Sequence, residues 1–298
     1  MKRILIPVFI AIILSACQNI HKQQISAIEI HQEALTIDSH TDTPLRFTRS
    51  NFLFGERHDP VQDRSRVDIP RMKEGGLDGI FLAAFTSQGD LSQEAYARIF
   101  KYSSRILDSI HSNVNKYQDQ VGLATSTEDL LSLEKQGKKA LFIGIENGYP
   151  IGKNLDNIKY FYDRGARYIT LCHTRNNQIC DSSTDTADFN GLSMFGDSVV
   201  RTMNKLGMMI DVSHISDSSF YDVIQISEAP VIASHSCARA ICDHPRNLSD
   251  EMLKALAKNG GVIQLCILSS YVKKPEPNPL RDSLQQVVRE KYRGFQDL

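Results

Sequence analysis

Seven short apolar runs, each followed by a stretch of helical character, constrain this 298-residue chain more than any other feature. The runs are LTIDSH (35–40), GIFLAAF (79–85), KALFIGIE (139–146), ARYITLCH (166–173), GMMIDVSH (207–214), PVIASHS (230–236) and GVIQLCI (261–267). Most are continuous in apolar character rather than alternating, as parallel strands covered on both faces are. Between them, residues 91–115, 127–136, Leu155 to Tyr162, Leu192 to Leu206, Ser216 to Ile226 and Ser249 to Lys258 carry apolar residues at helical spacing. Several open on Ser or Thr and close on Gly, the residues that cap helix ends. Strand–helix repetition at this spacing predicts right-handed βαβ units.

Two architectures satisfy that pattern. Polar, chemistry-bearing residues recur at the C-terminal ends of many runs, not at one switch point. That favours a (β/α)8 barrel over an open doubly wound sheet. Only seven strands are countable, and the last is followed by a proline-rich loop, a helical pattern over 280–291 and a polar end. The expectation is therefore a TIM-like barrel truncated before its eighth strand, with the first and seventh strands left as open edges.

The N-terminus reads as a separate element. Lys2 and Arg3 precede an apolar stretch, Ile4 to Leu14, too short for a comfortable membrane span. Ser15 and Ala16 then precede Cys17. The ending LSAC (14–17) resembles the lipobox of bacterial lipoproteins, which implies cleavage after residue 16 and lipid on Cys17. The expected organisation is a signal peptide over 1–16, a lipidated cysteine and polar tether over 17–32, and a C-terminally incomplete barrel domain over 33–298. The expected location is the bacterial cell envelope, on the exported side of the membrane. The formal net charge is −1 with dispersed Lys and Arg, which offers no nucleic-acid surface. Beyond Cys17, five cysteines leave two pairings open, Cys237 with Cys242 or Cys242 with Cys266.

The strand ends carry the chemistry. In TIDSHTDTP (36–44), His40 and Asp42 lie two apart, so period-two geometry turns both to one side. Glu146 closes GIEN, where a carboxylate after an apolar run needs a partner. His173, His214 and His235 close the next three runs. One such histidine is unremarkable; three, with Glu146 and the His40/Asp42 pair, predict a metal site. Imidazoles and carboxylates without convergent thiolates favour zinc, with manganese, cobalt or iron as other occupants. So many ligands suit two metals bridged by Glu146, a device for hydrolysing amides, lactones or phosphoesters. Arg246, in HPRN, reads either as a bidentate clamp for a substrate carboxylate or as a capping residue. Asp38 and Asp211 either orient ligand histidines or bond to nearby backbone. Residues 87–94 and 176–191 read as loops at the mouth of the site.

Together IDSHTDTP (37–44), VDIPRMKEGG (67–76), GIENG (144–148), YITLCH (168–173), IDVSHIS (210–216), PVIASHSCARAIC (230–242), HPRNLSDE (244–251) and GGVIQL (260–265) resemble the membrane (renal-type) dipeptidase family. These are binuclear zinc peptidases related to the amidohydrolases. The resemblance runs from about residue 33 to the end. It implies a metallo-dependent hydrolase barrel with two zinc ions per chain, His40 and Asp42 on one, His214 and His235 on the other, and Glu146 bridging. It implies that His173 contacts the substrate and stabilises the oxyanion, and that Arg246 binds the dipeptide carboxylate. It further implies dipeptide hydrolysis by a hydroxide between the metals, tolerance of a C-terminal D-residue, and a homodimer. The family's proton-handling aspartate belongs to a GSDFDG-like segment that is absent here, and FQDL (295–298) does not replace it. A missing C-terminal part of the barrel is therefore expected. Two other readings stay open: another barrel amidohydrolase acting on N-acyl amino acids or lactones, and a catalytically impaired metal-binding lipoprotein of the envelope.

Overall fold

The computed structural model describes residues 26–49, 52–62, 65–274 and 276–291. The proposed signal peptide, Cys17 and the FQDL segment lie outside the described residues. The chain divides into two units, Met1–Leu35 and Thr36–Leu298. In the first, helix α1 spans Ala27–Glu33, running from the stretch read as a tether into residue 33, where the barrel domain was expected to begin. Ser26 and Glu29 form a reciprocal capping box: Glu29 N donates to Ser26 Oγ and Ser26 N to Glu29 Oε2. Among the described residues no helix is long and apolar enough to cross a membrane.

The second unit is built on an eight-stranded parallel sheet. Its strands are β1 (Ile37–Thr41), β2 (Gly79–Phe85), β3 (Val121–Leu123), β4 (Lys139–Glu146), β5 (Ala166–Thr170), β6 (Met209–Asp211), β7 (Ile232–Ser236) and β8 (Val262–Leu265). The main helices are α2 (Pro44–Phe47), α3 (Ile69–Glu74), α4 (Gln93–Lys116), α5 (Thr127–Lys135), α6 (Asp156–Asp163), α7 (Met194–Leu206), α8 (Asp217–Ile226), α9 (Asp250–Asn259), α10 (Ser269–Val272) and α11 (Pro279–Lys291). The hydrogen-bonded order is β1-β2-β4-β5-β6-β7-β8, with β3 paired to β4 off this path. Strands β2 and β4 are buried along almost their whole length, which is why their sequences read as unbroken apolar runs. Five helices start on a serine whose hydroxyl accepts an amide proton from the first turn: Ser92, Ser126, Ser193, Ser216 and Ser249. Each such cap stabilises by about 1 kcal/mol. Helix α9 ends at Gly260, whose φ of 81° is open to glycine at no steric cost.

The eighth strand is present, which overturns the expected truncation and the expected missing C-terminal part of the barrel. The strand not counted from sequence is β3, three residues with a glycine in the middle, too short to show any period. The run counted seventh, 261–267, contains β8. It pairs with β7 through Ile232↔Val262 and Ala233↔Ile263. The sheet is near-closed. From β8, Gln264 reaches across to β1: Ser39 N and Ser39 Oγ both donate to Gln264 Oε1 at 2.7 Å, and Gln264 Nε2 donates to Ile37 O at 3.3 Å. One carboxamide thus occupies the place of a backbone ladder between the two ends. Strand β8 is the least covered of the eight, with Val262 and Leu265 exposed.

Candidate metal centre

All the sequence-selected ligands sit at the C-terminal ends of parallel strands. His40 is in β1, Glu146 ends β4, His173 and His214 lie three residues past β5 and β6, and His235 is in β7. This end of a barrel gathers side chains from strands distant in sequence. Two of the turns are strained. Asn147, directly after Glu146, has φ 76°, and His214 has φ 75°. A non-glycine residue is uncommon there, and such conformations cluster at functional sites.

Glu146 is the hub. Its Oε2 lies 3.4 Å from His40 Nε2. Its Oε1 lies 3.2 Å from His214 Nε2, 3.4 Å from His235 Nε2 and 3.7 Å from His173 Nε2. His214 Nε2 and His235 Nε2 are 2.8 Å apart. Two triads have ligand atoms mutually within 4.8 Å: His40, Glu146 and His235, and Glu146, His173 and His214. Asp42 stands outside both triads, with Oδ1 3.7 Å from His40 Nε2 and a side chain 63% exposed.

Electrostatics separates the imidazoles. Burial opposes charge on His40, but Glu146 and then Asp42 outweigh it and hold its pKa well above the ordinary value. Burial works against the Glu146 carboxylate too, yet His40, His214 and His235 keep it well below the usual carboxylate range. Burial, then the charge of Arg246, pushes His214 well down. Burial, then the charge of His40, lowers His235; burial also lowers His173, with Arg246 and His235 adding to it against Glu146. His173, His214 and His235, lowered toward the neutral form around an ionised Glu146, are in the protonation states a divalent cation requires, whereas His40 would give up a proton to a cation.

That donor set fits metal. In each triad two imidazoles, buried or half-buried, and the buried Glu146 carboxylate bring their ligand atoms within 4.8 Å of one another. The buried His214 Nδ1 has no hydrogen-bond partner among the described residues, so nothing competes for orienting that ring except what its Nε2 faces.

A second layer holds the ligands. Asp211 is fully buried; its Oδ1 accepts from Ser213 N and Ser234 N, and its Oδ2 from Ser234 Oγ at 2.6 Å. Ser234 Oγ also meets His235 Nδ1 at 2.8 Å. Asp211 thus bonds to nearby backbone, and its link to a histidine runs through Ser234 rather than by direct contact. Asp38 Oδ1 accepts from His40 N. Tyr168, fully buried, meets His40 Nδ1 at 3.1 Å and donates to Ser39 O at 3.2 Å. Its ring lies against Gly144, where a Cβ would approach it to 2.1 Å, so β4 must carry glycine there. Tyr168, Ser234 and Gln264 were not singled out from sequence. Tyr168 and Ser234 sit inside strand motifs where a buried polar atom is the one available signal.

Arg246 is 3% exposed. Its Nη2 donates to His235 O at 3.0 Å, while Nε and Nη1 have no partner among the described residues. The side chain lines a cavity of about 760 Å3 together with His40, Glu146, His214, His235 and Tyr271. In the 176–191 loop, buried Asp181 accepts from the amides of Asp188, Phe189 and Gly191, and Ser182 Oγ donates to His173 O at 2.6 Å. The five cysteines from Cys172 to Cys266 are free, so neither pairing is formed.

A near-closed parallel sheet with imidazoles and carboxylates gathered at its strand ends around one shared glutamate defines a metal-dependent hydrolase fold. Within that class, the chain belongs to the membrane dipeptidase family (peptidase family M19), whose family model matches residues 24–289. It is 33% identical over 260 residues to Dipeptidase verJ of Clonostachys rogersoniana, covering 84% of this chain and 65% of that protein. It is 33% identical over 264 residues to Dipeptidase ataJ of Aspergillus terreus, covering 79% and 64%. The chain thus spans just under two thirds of the length of these curated relatives. Among solved structures it is similar to the probable dipeptidase PvdM from Pseudomonas aeruginosa, with a TM-score of 0.78 and 30% identity over 89% of this chain and 67% of that one.

Proposed function

We propose that this protein is a zinc-dependent dipeptidase. The observation that carries the reading is Glu146 shared between two ligand triads at the mouth of a cavity that also holds a buried, half-unpartnered arginine. Two zinc ions would be held by His40 and Asp42 on one side, His214 and His235 on the other, and Glu146 between. When bound, the ions supply Lewis acidity toward a carbonyl and generate a nucleophile from water at neutral pH. By distance His235 falls in a triad with His40 and Glu146, although its Nε2 is 2.8 Å from that of His214, and His173 falls in a triad with Glu146 and His214. His173 is nevertheless the most exposed of the four imidazoles, at 23%, and stands farthest from Glu146, so it is assigned to the substrate.

The chain's own groups then divide the work. Arg246 offers Nε and Nη1 to the dipeptide carboxylate, a bidentate pairing that fixes the C-terminal residue. His173, neutral because its pKa is lowered, donates from Nε2 to the carbonyl oxygen as negative charge develops there. Glu146 stays ionised and keeps both oxygens available as ligands. Substrates are dipeptides, with a D-residue accepted on the carboxylate side. Lipidation at Cys17 would anchor the protein to the envelope membrane on its exported side, as a homodimer.

The test is zinc content and turnover of purified protein on dipeptides, N-acyl amino acids, lactones and phosphotriesters. Dipeptide hydrolysis at two zinc ions per chain is expected. A zinc-loaded protein that turns over no dipeptide would overturn the reading.

A further inference from the structure

We infer that Ser234 with Asp211 sets the imidazole tautomer of His235, and that Tyr168 across the site is a positioning residue that holds His40 by its Nδ1. The argument is one of proton counting. A serine hydroxyl has one proton. Ser234 Oγ lies 2.6 Å from Asp211 Oδ2, a fully buried carboxylate that can only accept, so the hydroxyl proton points there. The contact of 2.8 Å between Ser234 Oγ and His235 Nδ1 must then be donated by the imidazole. His235 is thereby fixed with its proton on Nδ1 and its lone pair on Nε2, the atom facing Glu146. Tyr168 acts on His40 by different means. Its hydroxyl lies 3.2 Å from Ser39 O and 3.1 Å from His40 Nδ1, so the His40 ring is held by Nδ1 with Nε2 turned toward Glu146.

Both devices belong to the barrel interior rather than to the mouth. Asp211 is further held by Ser213 N, Ser234 N and Thr170 Oγ1, so the carboxylate cannot swing away from Ser234. Tyr168 is wedged against Gly144, which leaves its hydroxyl no other position. His214 has no such partner at Nδ1 among the described residues, and its backbone φ is 75°. The usefulness of this device rests on the two-metal reading; its geometry does not.

Selective 15N labelling of histidine gives the tautomer of His235 directly in metal-free protein, and competition with a chromophoric chelator gives zinc affinity. In the wild-type protein His235 should carry its proton on Nδ1. In Ser234→Ala that preference should be lost and zinc should bind about 10- to 100-fold more weakly, the usual effect of removing a group that orients a ligand. Ser234→Thr, which keeps the hydroxyl, should restore both. Tyr168→Phe should weaken zinc by a similar factor and leave the His235 nitrogen shifts unmoved. Wild-type nitrogen shifts and zinc affinity in Ser234→Ala would overturn the inference, as would failure of Ser234→Thr to rescue a folded protein. If wild-type protein takes up no zinc, the two-metal reading fails, and the nitrogen shifts still decide the tautomer.

Discussion

The Nε2 atoms of His214 and His235 stand 2.8 Å apart, and both face Oε1 of Glu146, at 3.2 and 3.4 Å. Two neutral imidazoles and a carboxylate brought this close share too few protons to satisfy every lone pair. A cation resolves that shortage, and Glu146 is the atom pair on which its binding turns. Glu146→Gln keeps the shape and removes the charge. Metal content, measured by elemental analysis after zinc loading and desalting, should fall from about two ions per chain to below one, because a bridging ligand serves both. Retention of both ions would contradict the bridging role.

The metal-free protein should lose stability on acidification. His214 and His235, with His173, have pKa values below 6.5 in the fold, mainly through burial. In the unfolded chain they take up protons at about 6.5. Below that pH the unfolded state binds more protons, so stability falls as pH falls toward the folded values. Glu146 acts in the same direction lower down: its contribution is present above about 4.5 and is lost as pH drops through its depressed folded value. His40 opposes them, since its raised pKa gives stability that is full below about 6.5 and lost as pH rises through the folded value. Below about 6.5 His40 is protonated in both states and adds no slope, so the three lowered imidazoles set the trend there. Urea unfolding of chelator-treated protein should show a falling midpoint between about pH 7 and 5; a flat or rising midpoint would refute the assignment.

Arg246→Lys should separate binding from chemistry. Lysine keeps the charge and loses the planar fork, so the two free guanidinium donors have no equivalent. KM for dipeptides should rise by roughly 10- to 100-fold, about 1.4 to 2.8 kcal/mol, with a smaller change in kcat. Dipeptide amides, which lack the carboxylate, should distinguish poorly between the two proteins. Equal loss on both substrates would point to a structural role alone.

Asp181→Ala tests the loop over 176–191. Buried Asp181 gathers the amides of Asp188, Phe189 and Gly191, and its removal leaves them without their carboxylate. The cost should be about 1–3 kcal/mol of stability. Limited proteolysis should cut the variant within this loop well before the parent. Because Ser182 Oγ holds the carbonyl of His173, turnover should fall more than zinc affinity.

The metal centre was legible because its residues are chemically conspicuous: a histidine or glutamate ending an apolar run needs a reason to be there. Their convergence followed from the parallel-strand pattern alone. The strand count was not legible, because Val121–Leu123 offers three residues and a central glycine, below the length at which any period can be read. Nor were Tyr168 and Ser234. A serine beside a histidine and a tyrosine in an apolar run look like ordinary strand residues until the fold sets their hydroxyls against His235 and His40. Arg246 lay between the two: its type suggested a carboxylate partner, but its burial and its two unpartnered donors are properties of the fold.

Gln264 gives the sheet a seam. Strand β1 is bonded to β2 through its backbone, whereas its other flank is joined to β8 by one side chain. The seam lies beside Ser39, one residue from His40. Ser39 Oγ also meets Ser234 O of β7, so among the described residues this flank of β1 is held by side chains, whereas β4 is bonded by backbone on both flanks, to β2 and to β5. His40 is thus presented from a strand with one laddered flank, and Glu146 from a strand laddered on both.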